Sequence, residues 1–252
     1  LVGSEMCIRD SSKVRWKTCL VSVVLFVLCA VFGHRDSFAF WEDDLLYEGE
    51  SVYKYLQVKE TEDSVILSTN VLFGVQSVKQ KDGGLTGMYY DTALAAPLMA
   101  GIQEKETFDI LILGMGSGTY AAQCQEFFGG RNGQTLSIEG VEIDQDITDL
   151  AREYFDLPED VTVTTYDGRA YLQAMDKHYD VIMVDAYQDI TIPFQMSTVE
   201  FFTLVRDHLK PDGVMAVNMN MHSDGEGSIN AHLCDTISSV FDSVYTADVP
   251  RT

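Results

Sequence analysis

An apolar run that opens into three glycines constrains this chain more than any other feature. Residues 108–113 form a nearly continuous apolar run of the length of a buried parallel strand, and Gly114, Gly116 and Gly118 follow at alternate positions. Because glycine tolerates positive φ and has no Cβ, the backbone can turn sharply and a ligand can approach it closely. A helix predicted over residues 119–128 points its amide-rich N-terminus at that ligand. The pattern predicts a nucleoside-binding loop, and a plain glycine turn between strand and helix is the alternative.

Acidic residues outnumber basic ones in this chain. The sequence has 39 Asp and Glu against 17 Lys and Arg, a formal net charge of -22 at pH 7. Nucleic acids and anionic membrane surfaces both require a basic footprint, so the charge argues against either as a partner. A small cationic substrate is compatible with it, although an acidic surface that only confers solubility is the simpler interpretation.

The five cysteines show no spacing typical of a disulfide framework or a zinc site. Cys7, Cys19 and Cys29 lie in or before an apolar N-terminal segment, whereas Cys124 and Cys234 each fall inside a predicted helix. Neither the disulfide pattern of small secreted domains nor a zinc motif is present. We therefore predict no bound metal.

The N-terminal segment has the order of basic, apolar and small residues that targets a chain to a membrane. Lys13, Arg15 and Lys17 precede the apolar run 19–32, and small residues lead to Ala39. This order resembles a cleaved secretory signal peptide, and the alternative is an uncleaved anchor, for which the run is short. Either function places the rest of the chain on the outer side of the membrane. If the segment is instead a buried core helix, the protein is cytoplasmic.

Period-two patterns with β-branched residues follow, and they predict about three short antiparallel strands joined by tight turns. The strands cover residues 52–58, 65–68 and 71–78. A helix is expected next, at about 89–102, and Pro97 in its middle should kink or divide it. The predicted parts of the chain are the N-terminal segment 1–39, a small β domain 40–84 and a larger domain 85–252.

From the glycine loop onward, strands and helices alternate with short connections. The strands are predicted at 135–141, 161–165, 179–184, 214–218 and 243–247, and the helices at 145–155, 169–175, 197–209 and 229–241. Such alternation predicts a parallel sheet with helices on both faces. Ligands of these sheets bind at the carboxyl ends of the strands.

Acidic side chains accumulate at those carboxyl ends. Glu142 ends the second strand, where it can accept both hydroxyls of a ribose, while Asp144 fits better as the cap of the next helix. Asp167, before Gly168, can accept from an adenine amine or cap the following helix, and both alternatives stay open. Asp185 follows a buried apolar strand. Because a lone buried carboxylate is costly, it is the strongest catalytic candidate.

Seven of these features stand in an order that resembles a known family. They are the β unit with residues 75–77, the helix at 89–98, the glycine loop, residues 141–144, residues 167–168, Asp185 and the turn at 209–213. From about residue 50 to the C-terminus the chain resembles the polyamine aminopropyltransferase (spermidine synthase) family, and in particular its divergent, membrane-associated bacterial branch.

The resemblance implies an α/β fold, the class I methyltransferase-like (Rossmann-like) fold, with a mostly parallel sheet and helices on both faces. It also implies transfer of an aminopropyl group from decarboxylated S-adenosylmethionine to a polyamine such as putrescine. The implied donor-binding residues are Gln76, Gly114, Gly116, Ser117, Gly118, Glu142, Asp144, Asp167 and Gly168. The implied amine-site residues are Tyr89, Tyr90 and Asp91, and the implied catalytic residues are Asp185, Tyr187 and Asp189.

Three segments depart from the family's pattern. Met115 and Ser117 stand where the family loop carries a glycine and an aspartate, residues 89–91 replace Tyr-His-Glu, and Asp189 comes one position late. Two alternatives therefore stay open. A methyltransferase would bind intact S-adenosylmethionine and need a donor for its carboxylate instead of an acid at Ser117. A non-catalytic nucleoside-binding relative is favoured if the domain is exported, because the cofactor is made in the cytosol.

Class I folds usually end with an antiparallel strand beside the last parallel one. Nothing after residue 252 of this sequence can supply that strand, so we expect it to be missing. An exposed sheet edge favours association, and a homodimer is one expected form.

Overall fold

The computed structural model describes residues 16–33, 42, 44–69, 74–187, 192–219 and 227–249. The chain divides into two units, Leu1–Asp43 and Asp44–Thr252. In the first, the predicted apolar segment forms helix α1 (Trp16–Phe32), and none of its residues is buried. Among the helices of the described ranges, none has both the length and the apolar character that a membrane crossing requires. The expected cleavage site at Ala39 lies outside the described residues.

The second unit begins with an antiparallel sheet of four strands, in the spatial order β1-β2-β3-β4. The strands are β1 (Leu45–Glu50), β2 (Tyr55–Glu60), β3 (Ser64–Ser68) and β4 (Val75–Gln80). Their alternating pattern buries Leu56, Val58, Val65 and Leu67 on one face. The sheet has one strand more than the sequence predicted, because β1 carries Gly49 and two glutamates and lacks β-branched residues.

The predicted strand at 52–58 is wrong in its first part, which is the turn between β1 and β2. The amide of Ser51 donates to the carbonyl of Lys54 at 2.9 Å. The Ser51 hydroxyl oxygen accepts from the amides of Tyr53 and Lys54, each at 3.1 Å. A serine side chain that satisfies these amides stabilises a turn over an extended strand.

Pro97 divides the next helix as predicted, and the break falls before it. The two pieces are α2 (Tyr89–Ala93) and α3 (Ala95–Met99). Pro97 lies in the first turn of α3, where its missing amide leaves no donor unpaired. The carbonyl of Ala93, which a continuous helix would have bonded to residue 97, accepts instead from the Tyr120 hydroxyl at 3.2 Å.

The remaining chain forms the predicted parallel sheet with helices on both faces. The strands are β5 (Thr107–Leu113), β6 (Thr135–Glu142), β7 (Thr162–Thr165), β8 (Tyr179–Val184) and β9 (Leu209–Val217). The helices are α4 (Thr119–Phe128), α5 (Gln145–Tyr154), α6 (Gly168–Ala174), α7 (Val199–Asp207) and α8 (Ile229–Ser238). All pairs are parallel, in the order β7-β6-β5-β8-β9. The strand order reverses between β5 and β8, and ligands of such sheets bind outside the carboxyl ends at this point.

Strand β5 alternates between the two apolar cores. Phe108, Ile110 and Ile112 pack with α4, while Leu111 and Leu113 pack with α6, α7 and α8. A third cluster joins the small sheet to α5. The glycine loop therefore starts from a strand that is packed on both faces, and this fixes the position of the loop.

Two further predicted elements differ from the structure. Strand β9 begins at Leu209, because Leu209 pairs with Tyr179, so the predicted turn at 209–213 is an irregular start of the strand. The predicted strand at 243–247 is irregular and exposed. In the described part of the chain the outer edge of β9 is unpaired, and residues 243–247 do not pair with it.

An ion-pair network connects the strands near their amino ends. Asp180, with 1% of its surface exposed, accepts from Lys105 at 2.7 Å, from Lys210 at 2.8 Å and from the Asp109 amide at 2.8 Å. Lys177 joins Asp109 to Glu139. Burial alone would raise the pKa of Asp180, but the hydrogen bonds from the lysines leave it below its ordinary value.

Asp180→Asn is expected to destabilise the fold by about 1–2 kcal/mol at pH 7, because it removes the charge that two lysines share. A carboxyl whose pKa is lowered by folding contributes stability above its unfolded pKa, and this contribution is lost as the pH falls through the folded pKa. The difference should therefore shrink below about pH 4. Urea unfolding at pH 7 and pH 3 measures it, with exposed Asp176→Asn as the control. Equal destabilisation at both pH values would contradict the ion-pair explanation.

Candidate active site

The three glycines of the loop after β5 all have positive φ, at 83°, 57° and 84° for Gly114, Gly116 and Gly118. A Cβ on Gly114 would lie 2.6 Å from the Asp185 carbonyl oxygen and from the Ala186 Cα. On Gly116 it would lie 2.9 Å from the Ser77 hydroxyl, and on Gly118 it would lie 2.4 Å from the Leu157 Cδ1. The packing of the chain itself therefore requires glycine here. A ligand site is therefore indicated by the polar groups around the loop and not by the glycines alone.

Glu142 ends β6 directly beside the glycine loop, with 7% of its surface exposed. Its Oε2 accepts from the Gly116 amide at 2.9 Å, and its Oε1 accepts from the Asp144 amide at 3.1 Å. Burial raises the pKa of Glu142, and these two hydrogen bonds oppose the rise. Each oxygen keeps a further lone pair, so the carboxylate can still accept from two hydroxyls of a sugar.

Asp144 has the capping role that its position predicted. Its Oδ1 accepts from the Asp146 amide at 3.1 Å at the start of α5. Its Oδ2 accepts from the Ser51 hydroxyl in the β1–β2 turn at 2.5 Å. Asp144 therefore links the small sheet to α5, next to Glu142, and its contact with a donor stays a prediction.

Asp185 follows β8 and lies beside the same loop. Its amide donates to the Leu113 carbonyl at 2.8 Å, which continues the ladder between β8 and β5. Its Oδ2 accepts from the Tyr89 hydroxyl at 2.5 Å, and its Oδ1 accepts from the Asn218 side-chain amide at 2.9 Å.

Desolvation raises the pKa of Asp185 to about 7, although the hydrogen bonds from Tyr89 and Asn218 lower it, and the nearby charge of Glu142 raises it further. A carboxyl group with this pKa exchanges protons near neutral pH, as a general base must.

Tyr89 and Tyr90 lie in the first turn of α2 with ring centroids 4.0 Å apart. The Tyr90 hydroxyl donates to the Gln76 carbonyl at 2.5 Å, which ties α2 to β4. Burial raises the pKa of both tyrosines, so both hydroxyls are neutral donors at physiological pH. The Tyr89 hydroxyl thus contacts Asp185 directly, whereas Tyr90 packs against Tyr89 and donates to Gln76.

The Asp91 carboxylate is hydrogen-bonded by the loop that precedes α2. Its carboxylate accepts from the amide and hydroxyl of Thr86, from the Gly87 amide and from the Gln123 side chain. This pattern holds the loop in place and thereby positions Tyr89. A direct contact between Asp91 and a substrate stays a prediction.

The polar residues of β4 support the glycine loop. The Gln76 Oε1 accepts from the Thr69 hydroxyl at 2.8 Å. The Ser77 hydroxyl accepts from the Ser117 amide at 3.2 Å. The Ser117 hydroxyl is buried, with 1% of the residue exposed, and within the described residues it has no hydrogen-bond partner. It is a neutral group at the position where an acid was expected.

Asp167 and Gly168 start α6, where the Asp167 Oδ1 accepts from the Ala170 amide at 2.8 Å. The capping alternative for Asp167 is therefore confirmed, and its adenine contact stays a prediction. The Tyr187 hydroxyl donates to the backbone carbonyl of Asn218 at 2.7 Å. Tyr187 therefore contacts Asn218, which in turn contacts Asp185. Asp189 lies outside the described residues.

Sequence reasoning missed Asn218, which contacts the central carboxylate directly. A signal was present, because a polar residue follows an apolar strand at the same edge of the sheet, as Asp185 does. The glycine loop, Glu142, Asp185 and Asn218 meet at the carboxyl ends of β5, β6, β8 and β9. Such an arrangement can bind a nucleoside and remove a proton from a second substrate.

A family model described as the spermine/spermidine synthase domain matches residues 94–251. A probable polyamine aminopropyl transferase of Bifidobacterium longum is 62% identical over 244 residues, which cover 96% of this chain and 53% of that protein. A polyamine aminopropyltransferase of Oceanobacillus iheyensis is 27% identical over 208 residues, covering 77% of this chain and 38% of that protein. The chain thus spans about half the length, or less, of these curated relatives.

The crystal structure of a probable spermidine synthase from Corynebacterium glutamicum matches with a TM-score of 0.66 at 24% identity, covering 78% of this chain and 71% of that chain. At this identity the match shows a shared fold. It agrees with the five-stranded parallel sheet and the small antiparallel sheet before it.

Proposed function

The chain belongs to the spermine/spermidine synthase family, and on that premise we propose that it transfers an aminopropyl group from decarboxylated S-adenosylmethionine to a polyamine such as putrescine. The observation that carries the proposal is the Asp185 carboxylate, held by Tyr89 and Asn218 beside the glycine loop. The negative net charge of the chain favours the approach of a cationic amine.

Asp185 supports the chemistry that this transfer requires. An alkyl amine has a pKa of about 10, so at neutral pH it arrives protonated and cannot attack. The ionised Asp185 carboxylate accepts one proton from the ammonium group. The nitrogen lone pair then forms a bond to the carbon beside the sulfonium, the sulfur–carbon bond breaks, and its electron pair leaves with the sulfur as a neutral thioether. Holding the two substrates in line supplies much of the rate.

Glu142 is the proposed ribose acceptor. The glycine loop fixes its Oε2 through the Gly116 amide, and one lone pair on each oxygen remains for the ribose hydroxyls. Asp167, Gly168 and Gln76 are the further donor-site candidates, with Tyr90 behind Tyr89 on the amine side. These roles rest on their positions at the sheet edge and on membership of the family.

A methyltransferase is the second candidate, and Ser117 is the observation that favours it. The buried Ser117 hydroxyl has no partner in the described part of the chain, and it could donate to the carboxylate of intact S-adenosylmethionine. An aspartate at this position would repel that carboxylate, whereas a hydroxyl does not.

Calorimetric titration of the full chain with decarboxylated S-adenosylmethionine, intact S-adenosylmethionine and methylthioadenosine tests the proposal. We expect preference for the decarboxylated donor. Glu142→Gln should weaken the binding of all three by about 10–100-fold, because it removes a charged acceptor. Exposed Glu159→Gln is the control.

Preference for the intact donor would support the methyltransferase. No binding of any of the three to the folded wild type would overturn both enzymatic functions. Unchanged binding by Glu142→Gln would remove Glu142 from the donor site.

A further inference from the structure

Asn218 and Asp185 occupy matching positions on neighbouring strands. Val184 pairs with Val217 where β8 and β9 run in parallel, and each of the two polar residues comes next in its chain. The Asn218 amide donates to the Val184 carbonyl at 3.1 Å, so the ladder extends to Asn218 itself. The backbone of Asn218 is therefore fixed relative to that of Asp185.

The two oxygens of the Asp185 carboxylate are held from different elements. Asn218 donates to Oδ1 at 2.9 Å from the end of β9, and Tyr89 donates to Oδ2 at 2.5 Å from α2. A carboxylate with one fixed donor on each oxygen cannot rotate freely about its Cβ–Cγ bond, yet each oxygen keeps a lone pair for an incoming ammonium group.

A further contact restrains Asn218. Tyr187 lies two residues after Asp185 in the chain. Its hydroxyl donates to the backbone carbonyl of Asn218 at 2.7 Å. The segment after β8 and the segment after β9 are thus joined by two side-chain hydrogen bonds in opposite directions, from Asn218 to Asp185 and from Tyr187 to Asn218. The bond from Tyr187 reaches the backbone carbonyl of Asn218, so it fixes the main chain from which the Asn218 side chain donates to the carboxylate.

We infer that Asn218 is a positioning residue that fixes the plane of the Asp185 carboxylate toward the reacting amine and favours its ionised form. The inference rests on the proposed aminopropyl transfer and extends it to a residue outside the predicted site. Tyr187, predicted to be catalytic, acts in this arrangement through Asn218.

Within the described ranges, the other titratable groups that interact with Asp185 are Tyr89 and Tyr90 from α2 and Glu142 from β6. None of them is altered by a substitution at residue 218, so a change in the titration of Asp185 reports the replacement of the Asn218 amide, and its recovery in Asn218→Gln assigns the change to the hydrogen bond. If Asn218 served only to stabilise the fold, its substitution would change the free energy of unfolding and leave the midpoint of the Asp185 titration unchanged.

The test compares Asn218→Leu, which has similar size and no donor, with Asn218→Gln, which keeps the amide on a longer side chain. Carbon-13 NMR of the full chain follows the Asp185 carboxyl through its titration, with Asp185→Asn to identify the signal. We expect Asn218→Leu to move the Asp185 midpoint up by about one pH unit, because the lost donor stabilised the charged form. The acid limb of the kcat/KM profile should move with it.

Asn218→Leu should also lower kcat by about 10-fold and leave KM for the amine within about twofold, since the change is in orientation and protonation instead of binding. Asn218→Gln should recover part of both effects. Thermal melting shows whether the variants fold, and Asn218→Ala replaces the leucine variant if that one does not.

An unchanged Asp185 midpoint in a folded variant that lacks the Asn218 donor overturns the inference. Failure of the proposed function is a separate result, because it appears as a wild type without aminopropyl transfer. In that case the NMR titration still decides whether Asn218 holds the carboxylate.

Discussion

Asp185→Asn is expected to lower turnover by about 10³-fold while leaving donor binding within about twofold. Asparagine has nearly the same shape, so the glycine loop and Glu142 keep their places. The amide cannot accept a proton from the amine, and only its oxygen can accept a hydrogen bond. One of the two donors, Tyr89 or Asn218, therefore loses its partner. Steady-state assay and donor titration of the same preparation measure the two effects.

The same substitution should stabilise the protein in a pH-dependent way. Desolvation raises the pKa of Asp185 to about 7 in the folded state, above its ordinary value of 3.8. The unfolded chain therefore loses the proton first as the pH rises, and the carboxyl costs stability above about pH 4. We expect the variant to be less stable than the wild type by about 1–2 kcal/mol at pH 3.5, because of the lost hydrogen bond, and more stable by about 2–3 kcal/mol at pH 8.

Urea unfolding across this range measures the effect, with exposed Asp82→Asn as the matched control. Full turnover in the asparagine variant would show that Asp185 is not the proton acceptor. Parallel stability curves for the variant and the wild type would show instead that Asp185 titrates normally in the folded protein.

Gly114→Ala is expected to destabilise the protein by about 3–4 kcal/mol and to lower turnover by at least about 10-fold. The residue has a φ of 83°, and its Cβ would lie 2.6 Å from the Asp185 carbonyl oxygen. That obstacle is backbone, so it cannot move aside as a flexible side chain would. Relief of the overlap displaces Asp185 itself, which is why activity and stability should fall together.

Gly130→Ala is the matched control for this substitution. Gly130 has a φ of 64°, and nothing lies within 4 Å of a Cβ built there. It therefore carries the cost of positive φ alone, about 1 kcal/mol, with normal turnover. If the two alanine variants unfold at the same urea concentration, backbone conformation explains the whole cost at Gly114 and the close approach to Asp185 does not matter.

The sequence predicted the parts of the site that a single strand determines. Asp185 was found because it follows an apolar run, Glu142 because it ends the next predicted strand after the glycine loop, and the glycines because they follow β5. The end of β9 marked Asn218 as a polar residue at the same end of the sheet, but its contact with Asp185 depends on the pairing of β8 with β9, which no local pattern reveals.

Side-chain partners were the other limit of prediction. Asp144 and Asp167 each had two interpretations in the sequence, and the observed hydrogen bonds to Asp146 and Ala170 confirmed the capping alternatives. Residues 52–54, in the turn that Ser51 begins, were predicted as strand because Val52 and Tyr53 have high β-propensity. Its serine side chain satisfies two amides and overrides that preference.

The ion-pair network around Asp180 lies toward the amino ends of the strands, away from Asp185 and Glu142. It contains three acids and three lysines, which balance in charge, whereas the two carboxyls at the other edge have raised pKa values. The carboxyls with raised pKa values and the charge-balanced ion pairs thus lie at opposite ends of the strands of one sheet. A substitution near Asp185 or Glu142 is therefore expected to leave the ion pairs at the amino ends intact, so that the candidate site can change without loss of this stabilising network.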